Sequence, residues 1–458
     1  MLDRRTRDIL LAARDGAARR GIRAAISLHR ERSHLMRIGN SSVSLNTSEN
    51  LTRLDITVLS GRREGTHTHL GEISSQSVVD GAIDLSARKA EVARPKDYEP
   101  LLPELQEAVA ESGQYDSDLA AMDPGEKARV YSEVFGAAGP AFDFSGSWSS
   151  GVVELYLVST ANELEAWHIG TDQIFSVVMK HPERKWELQD EQTGWRSGAV
   201  RAEAAVEHLA SLLPVYERGG AVRNEPGEYT VLLGASAIAE LLGMAVWTGC
   251  GGRMYEEKLG WTSNNSLGDR ILGDNISVVD DPEDPLTFNM GFDMGGMRRR
   301  RFTLIDSGRL AGLTYDRATA ARYGRRQTGH ETNSPGIVLS CGTGPADALE
   351  GARGHGGRML FIPALHYMNL PNMSKGIVTG SSRFNAVLVE DGAVVAPIFS
   401  SRVTDTFSNI FGRISALSMK AVSVNGSNTY GRRAPVAMSV PAWAIAEGVK
   451  ITDCAESF

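Results

Sequence analysis

The stretch Val231-Leu-Leu-Gly-Ala-Ser-Ala-Ile-Ala-Glu-Leu-Leu-Gly-Met-Ala-Val-Trp247 is almost free of charge and limits what the chain can become. Its opening, Tyr229 to Leu233, reads as a strand; Ile238, Leu241, Leu242 and Val246 then fall at helical spacing. The run is too short, and too interrupted by Gly, Ser and one Glu, to span a bilayer, so the spacing predicts a buried helix. Burying the lone acid, Glu240, is unfavourable unless it is paired or neutralised. Either an Arg or backbone donors satisfy it, or the position is catalytic or the remnant of a catalytic one.

The 458 residues are enough for two or three domains with substantial cores. The 48 glycines exceed an average share of about 7% and favour many tight turns, hence hairpin-rich β structure in part of the chain. A net charge of −8 argues against a general nucleic-acid binder. Cys250, Cys341 and Cys454 form no disulfide framework and no CxxC pair, and Cys454 reads as a free thiol. The opening Met-Leu-Asp-Arg-Arg lacks a signal-peptide core and no run is long enough to cross a membrane, so a cytoplasmic protein is expected.

Along the chain, residues 3 to 20, 75 to 93 and 199 to 216 predict helices, with shorter ones around 104 to 111 and 124 to 135. Strands are expected at 24 to 28, 43 to 45, 51 to 59, 151 to 159, 166 to 170 and 173 to 179. The Gly-, Ser- and Ala-rich stretch 136 to 150 reads as a loop. Turn-rich polar sequence from Glu217 to Glu228 marks a domain boundary. Beyond it β signals dominate: one hairpin turns at Asp306-Ser-Gly308 and another at Asp391-Gly392. The expected architecture is α+β. A mixed helix and sheet domain over residues 1–222 precedes a β-rich domain over 223–458 that contains the uncharged helix.

Several fragments then occur in a recognisable order: the strand and uncharged helix, Ser266-Leu-Gly-Asp269, Ile276-Ser-Val-Val-Asp-Asp-Pro282, Phe292-Asp-Met-Gly-Gly296, the first hairpin, Asp316-Arg-Ala-Thr-Ala-Ala-Arg-Tyr-Gly324, and the second hairpin leading into Pro397. In this order and spacing the chain resembles the TldD/PmbA (TldD/TldE) family of metalloprotease subunits over nearly its whole length. The resemblance implies that an active TldD-type subunit carries HExxxH on the uncharged helix, with a cysteine in a CGKxGQ-like segment near the carboxyl end completing a zinc site. Zinc would lower the pKa of its bound water and the glutamate would act as general base. Helical ligands five residues apart lie about 140° apart around the axis, so their convergence needs a local distortion. Gly243 stands where a glycine would permit one.

This sequence departs from that motif. Ala239 occupies the first histidine position, Glu240 keeps the glutamate, and Met244 occupies the second histidine position. Aligning Pro435 with the family's proline puts Ser427 at the cysteine and Gly431 at a matching glycine. Alanine cannot ligate, and methionine and serine are poor zinc ligands beside imidazole and thiolate. The resemblance therefore implies a TldE/PmbA-like member with no cofactor of its own, paired with a zinc-bearing TldD-type HExxxH subunit and acting on unfolded peptides. No nucleic acid and no membrane enter. Two further readings stay open. Glu240 could serve an independent hydrolase or transferase of specialised metabolism, or the chain could be a non-catalytic homodimer that holds extended peptide by strand addition.

Other signals are weaker. His67 and His69 would share a strand face, as half of a metal site or as a plain exposed pair. Arg298 to Arg301 could grip a carboxylate, although a strand of solvated arginines is the plainer reading. His330-Glu331 and His366 fit cleft-lining loops better than a replacement metal site. Gly342-Thr-Gly344 is too short for a phosphate loop, and Met290, Met294 and Met297 fit flexible packing.

Overall fold

A computed structural model describes residues 2–111, 114–184, 186–288, 290–427 and 432–456. The architecture is mixed α+β, with strands among the described residues gathered into sheets of seven, six and nine. The first sheet draws only on residues before 195. Its long ribbons are Arg23–Gly39, Ser42–Ser60, Asp143–Ser159 and Glu165–Lys180, and Glu187–Gly194 and the short parallel Val109–Glu111 both join the last of these. The other two sheets draw only on residues from 227 onward.

Local chemistry accounts for several boundaries. Asp3 caps the helix Arg4–Arg19 by accepting from the Thr6 amide, and Asp123 with Pro124 opens Pro124–Ala138. Both expected hairpin turns form, with positive φ at Ser307, Gly308, Asp391 and Gly392. Corrections fall elsewhere. The expected short helix at 104–111 is irregular chain that ends in the strand Val109–Glu111, and the expected loop at 136–150 is largely the first half of Asp143–Ser159. The first strands run far past their expected ends.

The nine-stranded sheet centres on Gly227–Gly234, antiparallel to Trp443–Cys454 and parallel to Arg358–Ile362. A continuous apolar core joins this sheet to the first: Trp148, Phe175 and Tyr216 cluster with Leu232, Trp443 and Ile445. The Tyr216 hydroxyl donates to the Ala386 carbonyl.

A second junction is ionic. The loop between Ala421–Asn425 and Ala437–Pro441 sends Arg433 into the first sheet, where it is 3% exposed. Its guanidinium donates to Asp172 Oδ1 at 2.6 Å and Oδ2 at 2.9 Å and to Ser149 Oγ at 2.8 Å, while its amide donates to Glu31 Oε2 at 2.8 Å. Removing one partner of such a pair leaves a buried charge unmatched. Arg433→Met should therefore lower stability by about 3–5 kcal/mol in urea denaturation. Adding Asp172→Asn should restore part of the loss; a double variant weaker than the single would show that the pair is not the origin.

Candidate functional site

The helix Ala235–Gly249 follows its strand without a break. Gly234 lies at the junction because a Cβ there would meet Pro363 Cα at 2.7 Å, and the Ala237 amide donates to the Pro363 carbonyl. Ala237, Ile238, Leu241, Leu242 and Ala245 face the core. The expected burial of Glu240 is corrected: it is exposed on the opposite face, with Gly243, Met244 and the 56%-exposed Trp247 at positions +3, +4 and +7. The apolar Met and Trp on that face hid the amphipathicity.

The helix is regular throughout, so the distortion that Gly243 would permit does not occur. Gly243 instead leaves room for Met438, whose Cε lies 2.8 Å from where a Cβ would stand. Because that methyl ends a flexible side chain, Gly243→Ala should gain stability by about 0.5–1 kcal/mol in denaturation experiments. A loss would mean that Met438 is pinned.

The three positions aligned with zinc ligands do not fit zinc. Ala239 is buried in the core and carries no donor. Met244 is half-buried and packs on the same core. Ser427 is buried in the hairpin loop, where its hydroxyl accepts from the Val436 amide and its own amide donates to Asn425 Oδ1. Gly431 lies outside the described residues. Among the described residues no group of three or more His, Cys, Asp or Glu side chains is arranged to hold a metal ion.

What does approach Glu240 is a second carboxylate that no motif pointed to. The hairpin Ala421–Asn425 and Ala437–Pro441 packs between the helix and the strand Glu187–Gly194. Glu191 on that strand is solvent-accessible yet ringed by protein. Loss of solvent, then the charges of Asp190 and Glu240, push its carboxyl up to about 7. Loss of solvent likewise raises Glu240, which among the described residues has no hydrogen-bonded or ion-paired partner. Asp190 is engaged by His208 Nδ1 at 2.8 Å and by Gln192. The recess thus holds two acids, one of which exchanges a proton near neutrality. The only sequence hint was the acidic pair Asp190-Glu191 itself.

The raised value has a consequence for stability. Between about 4.5 and 7 the folded chain holds a proton on Glu191 that the unfolded chain has lost, so this group's contribution falls as pH rises through that window. Glu191→Gln should raise the melting temperature at about pH 8, with the gain shrinking towards about pH 4.5. A gain independent of pH would remove the acid-pair account.

The remaining candidates settle as follows. His67 and His69 share a face of Arg63–Leu70 as expected. His330 is buried edge-on against Phe302 with Nε2 3.4 Å from Asp280 Oδ2, and burial lowers its pKa. His366 packs edge-on against Phe384. Arg300 and Arg301 are exposed, in keeping with the solvated-arginine reading, which is corrected for the other two: Arg298 binds Glu111 at 2.6 Å, and Arg299 is buried on Asp280 at 2.6 Å. Met290 and Met294 join a small core with Phe292, and Gly344 makes room for Trp443. All three cysteines are free.

Residues 226–452 match the family described as PmbA/TldA metallopeptidase C-terminal domain. No curated protein matches the sequence. Among solved structures, TldE from Thermococcus kodakarensis superposes with a TM-score of 0.81 at 18% identity, covering 96% of this chain and 100% of that one. Candidate modulators of DNA gyrase superpose similarly. The one from Thermotoga maritima has a TM-score of 0.79 at 14% identity over 98% of this chain and all of its own. The one from Bacteroides thetaiotaomicron has 0.78 at 16% over 99% and 100%. At these identities the structures show a shared fold. With the matched C-terminal region, the ordered fragments and the common architecture together, the chain belongs to the TldD/PmbA family.

Proposed function

We propose that this protein is a TldE-like subunit without zinc of its own, which pairs with a catalytic HExxxH-bearing chain and shapes a cleft for unfolded peptide. The observation that carries this reading is the helix Ala235–Gly249. It is regular, turns Ala239 into the core, and keeps only Glu240 of the motif on its open face. The half-buried Met244 and the exposed Trp247 beside Glu240 would suit a partner or peptide surface. No helix among the described residues is long and apolar enough to cross a membrane, and the proposed setting is the cytoplasm. The net charge of −8 gives no support to DNA contact, whatever the gyrase-related names of two structural neighbours say of those proteins. A two-domain division near residue 222 belongs to the same proposal.

Purified alone, the chain is expected to bind no stoichiometric zinc and to cleave no unfolded peptide. Co-expressed with an HExxxH-bearing relative from the same organism, it should be recovered in a complex that does both. Metal analysis and peptide cleavage on each preparation check this, and turnover by the chain alone would overturn it.

One observation favours a second reading. Glu191 and Glu240 are two carboxylates with raised pKa values in one accessible recess, an arrangement suited to general acid–base chemistry. If that chemistry operates, Glu240→Gln abolishes a turnover measured in the absence of any partner.

A further inference from the structure

A cavity of about 400 Å³ opens where the first sheet meets the loops after the first hairpin, away from the helix Ala235–Gly249. Its polar walls come from separate segments: Asp55 on Ser42–Ser60, Arg317 at the start of Arg317–Tyr323, His330, Glu331 and Asn333 on the loop that follows, and Arg432 beside the buried Arg433. Two arginines thus line one space, and neither has all of its donors matched. Arg317 gives Nη2 to Glu331 Oε1 at 3.0 Å, but its Nη1 is buried without a partner. Leaving a buried charged donor unmatched is unfavourable.

Arg432 is placed similarly. Its closest carboxylate contact is Asp55 Oδ2 at 3.6 Å, beyond hydrogen-bond reach. Asp55 is shared with other donors, its oxygens accepting from Arg53 at 2.8 and 3.0 Å and from Thr68 at 2.6 Å. Burial lowers the Arg432 pKa, as expected for a cation that has lost water without gaining a close partner. Guanidinium forks match the planar geometry of a carboxylate. The opposite charge is present too: Glu331 lines the same cavity, and burial raises its carboxyl. His330 adds no charge at neutral pH, since burial lowers its pKa.

We propose that this cavity binds a small zwitterion, a free amino acid or dipeptide, with its α-carboxylate between Arg317 and Arg432 and its ammonium group on Glu331. The volume lies at the lower end of ligand pockets, about 300–1,000 Å³, which suits one or two residues and excludes a long peptide. The site is separate from the Glu191–Glu240 recess and does not depend on the subunit reading.

The test is calorimetric titration of the full chain with alanyl-leucine, with alanyl-leucinamide, and with inorganic phosphate. The dipeptide should bind with one-to-one stoichiometry, the amide at least tenfold more weakly, and phosphate should not displace the dipeptide. Arg432→Gln should weaken the dipeptide at least tenfold while leaving the melting temperature close to that of the parent, because Arg432 makes no hydrogen bond that the fold requires. Arg317→Gln should act in the same direction; if that variant fails to fold, Arg432→Gln decides alone. No binding at millimolar dipeptide, equal affinity for acid and amide, displacement by phosphate, or indifference to Arg432→Gln would each overturn the proposal.

Discussion

The buried pair of Arg433 and Asp172 is the constraint around which the two ends of the chain are assembled. Asp172 lies in the middle of Glu165–Lys180, and Arg433 arrives from a loop of the six-stranded sheet more than two hundred residues later in sequence. A charge pair this deep is tolerated only when its remaining donors and acceptors are matched. They are matched here by Ser149, by Glu31 at the Arg433 amide, and by Asn425 donating to Asp172 Oδ2 at 3.3 Å. The same environment reaches Lys127, which donates to Ser150 Oγ at 2.8 Å. Burial, and then the neighbouring Arg433, push its ammonium down to about 7. Arg433 is therefore held on one side of the loop and Ser427, two residues past Asn425, on the other.

This anchoring explains why the position aligned with a family cysteine is structural in this chain. Ser427 braces the loop through Val436 and Asn425, so its hydroxyl is occupied inside the hairpin. The same hairpin backs the helix Ala235–Gly249 through Met438 and sets how closely that helix approaches Glu187–Gly194. Burial, then Asp190 and then Glu240 raise the Glu191 carboxyl, and the placement of the last of these follows from where the hairpin is fixed.

What could be read from sequence followed from local rules. The uncharged helix, the two hairpins and the helices capped by Asp3 and Asp123 each depend on residues within a few positions of one another. The misreadings depend on distant neighbours. The stretch Asp143–Ser150 looks like a loop because of its Gly and Ser content, yet it is strand. Gly146 has no side chain because a Cβ would lie 2.3 Å from the Ser176 carbonyl, and Gly151 has none because Arg433 Cδ lies 2.9 Å away. Those glycines admit a neighbouring strand and the loop that carries Arg433, and do not mark a turn. Arg298 and Arg299 looked solvated because nothing nearby in sequence announced Glu111 and Asp280.

The candidate site shows the same division. Helical periodicity was enough to find Ile238, Leu241 and Leu242, but the same periodicity also puts Glu240 with Gly243, Met244 and Trp247 on one face. Read only as a count of apolar residues, the run looks buried all round. Read by angle, it has a core face and a second face that is apolar except for one carboxylate. A glutamate on such a face keeps part of its water, so it needs no internal cation and has none among the described residues; the protein around it removes the rest, and that partial loss of solvent raises its pKa. Glu191 could not be anticipated from that helix, since it is delivered by a strand of the other half of the chain. A carboxylate pair of this kind becomes visible only once the anchored hairpin has fixed how the strand and the helix face each other.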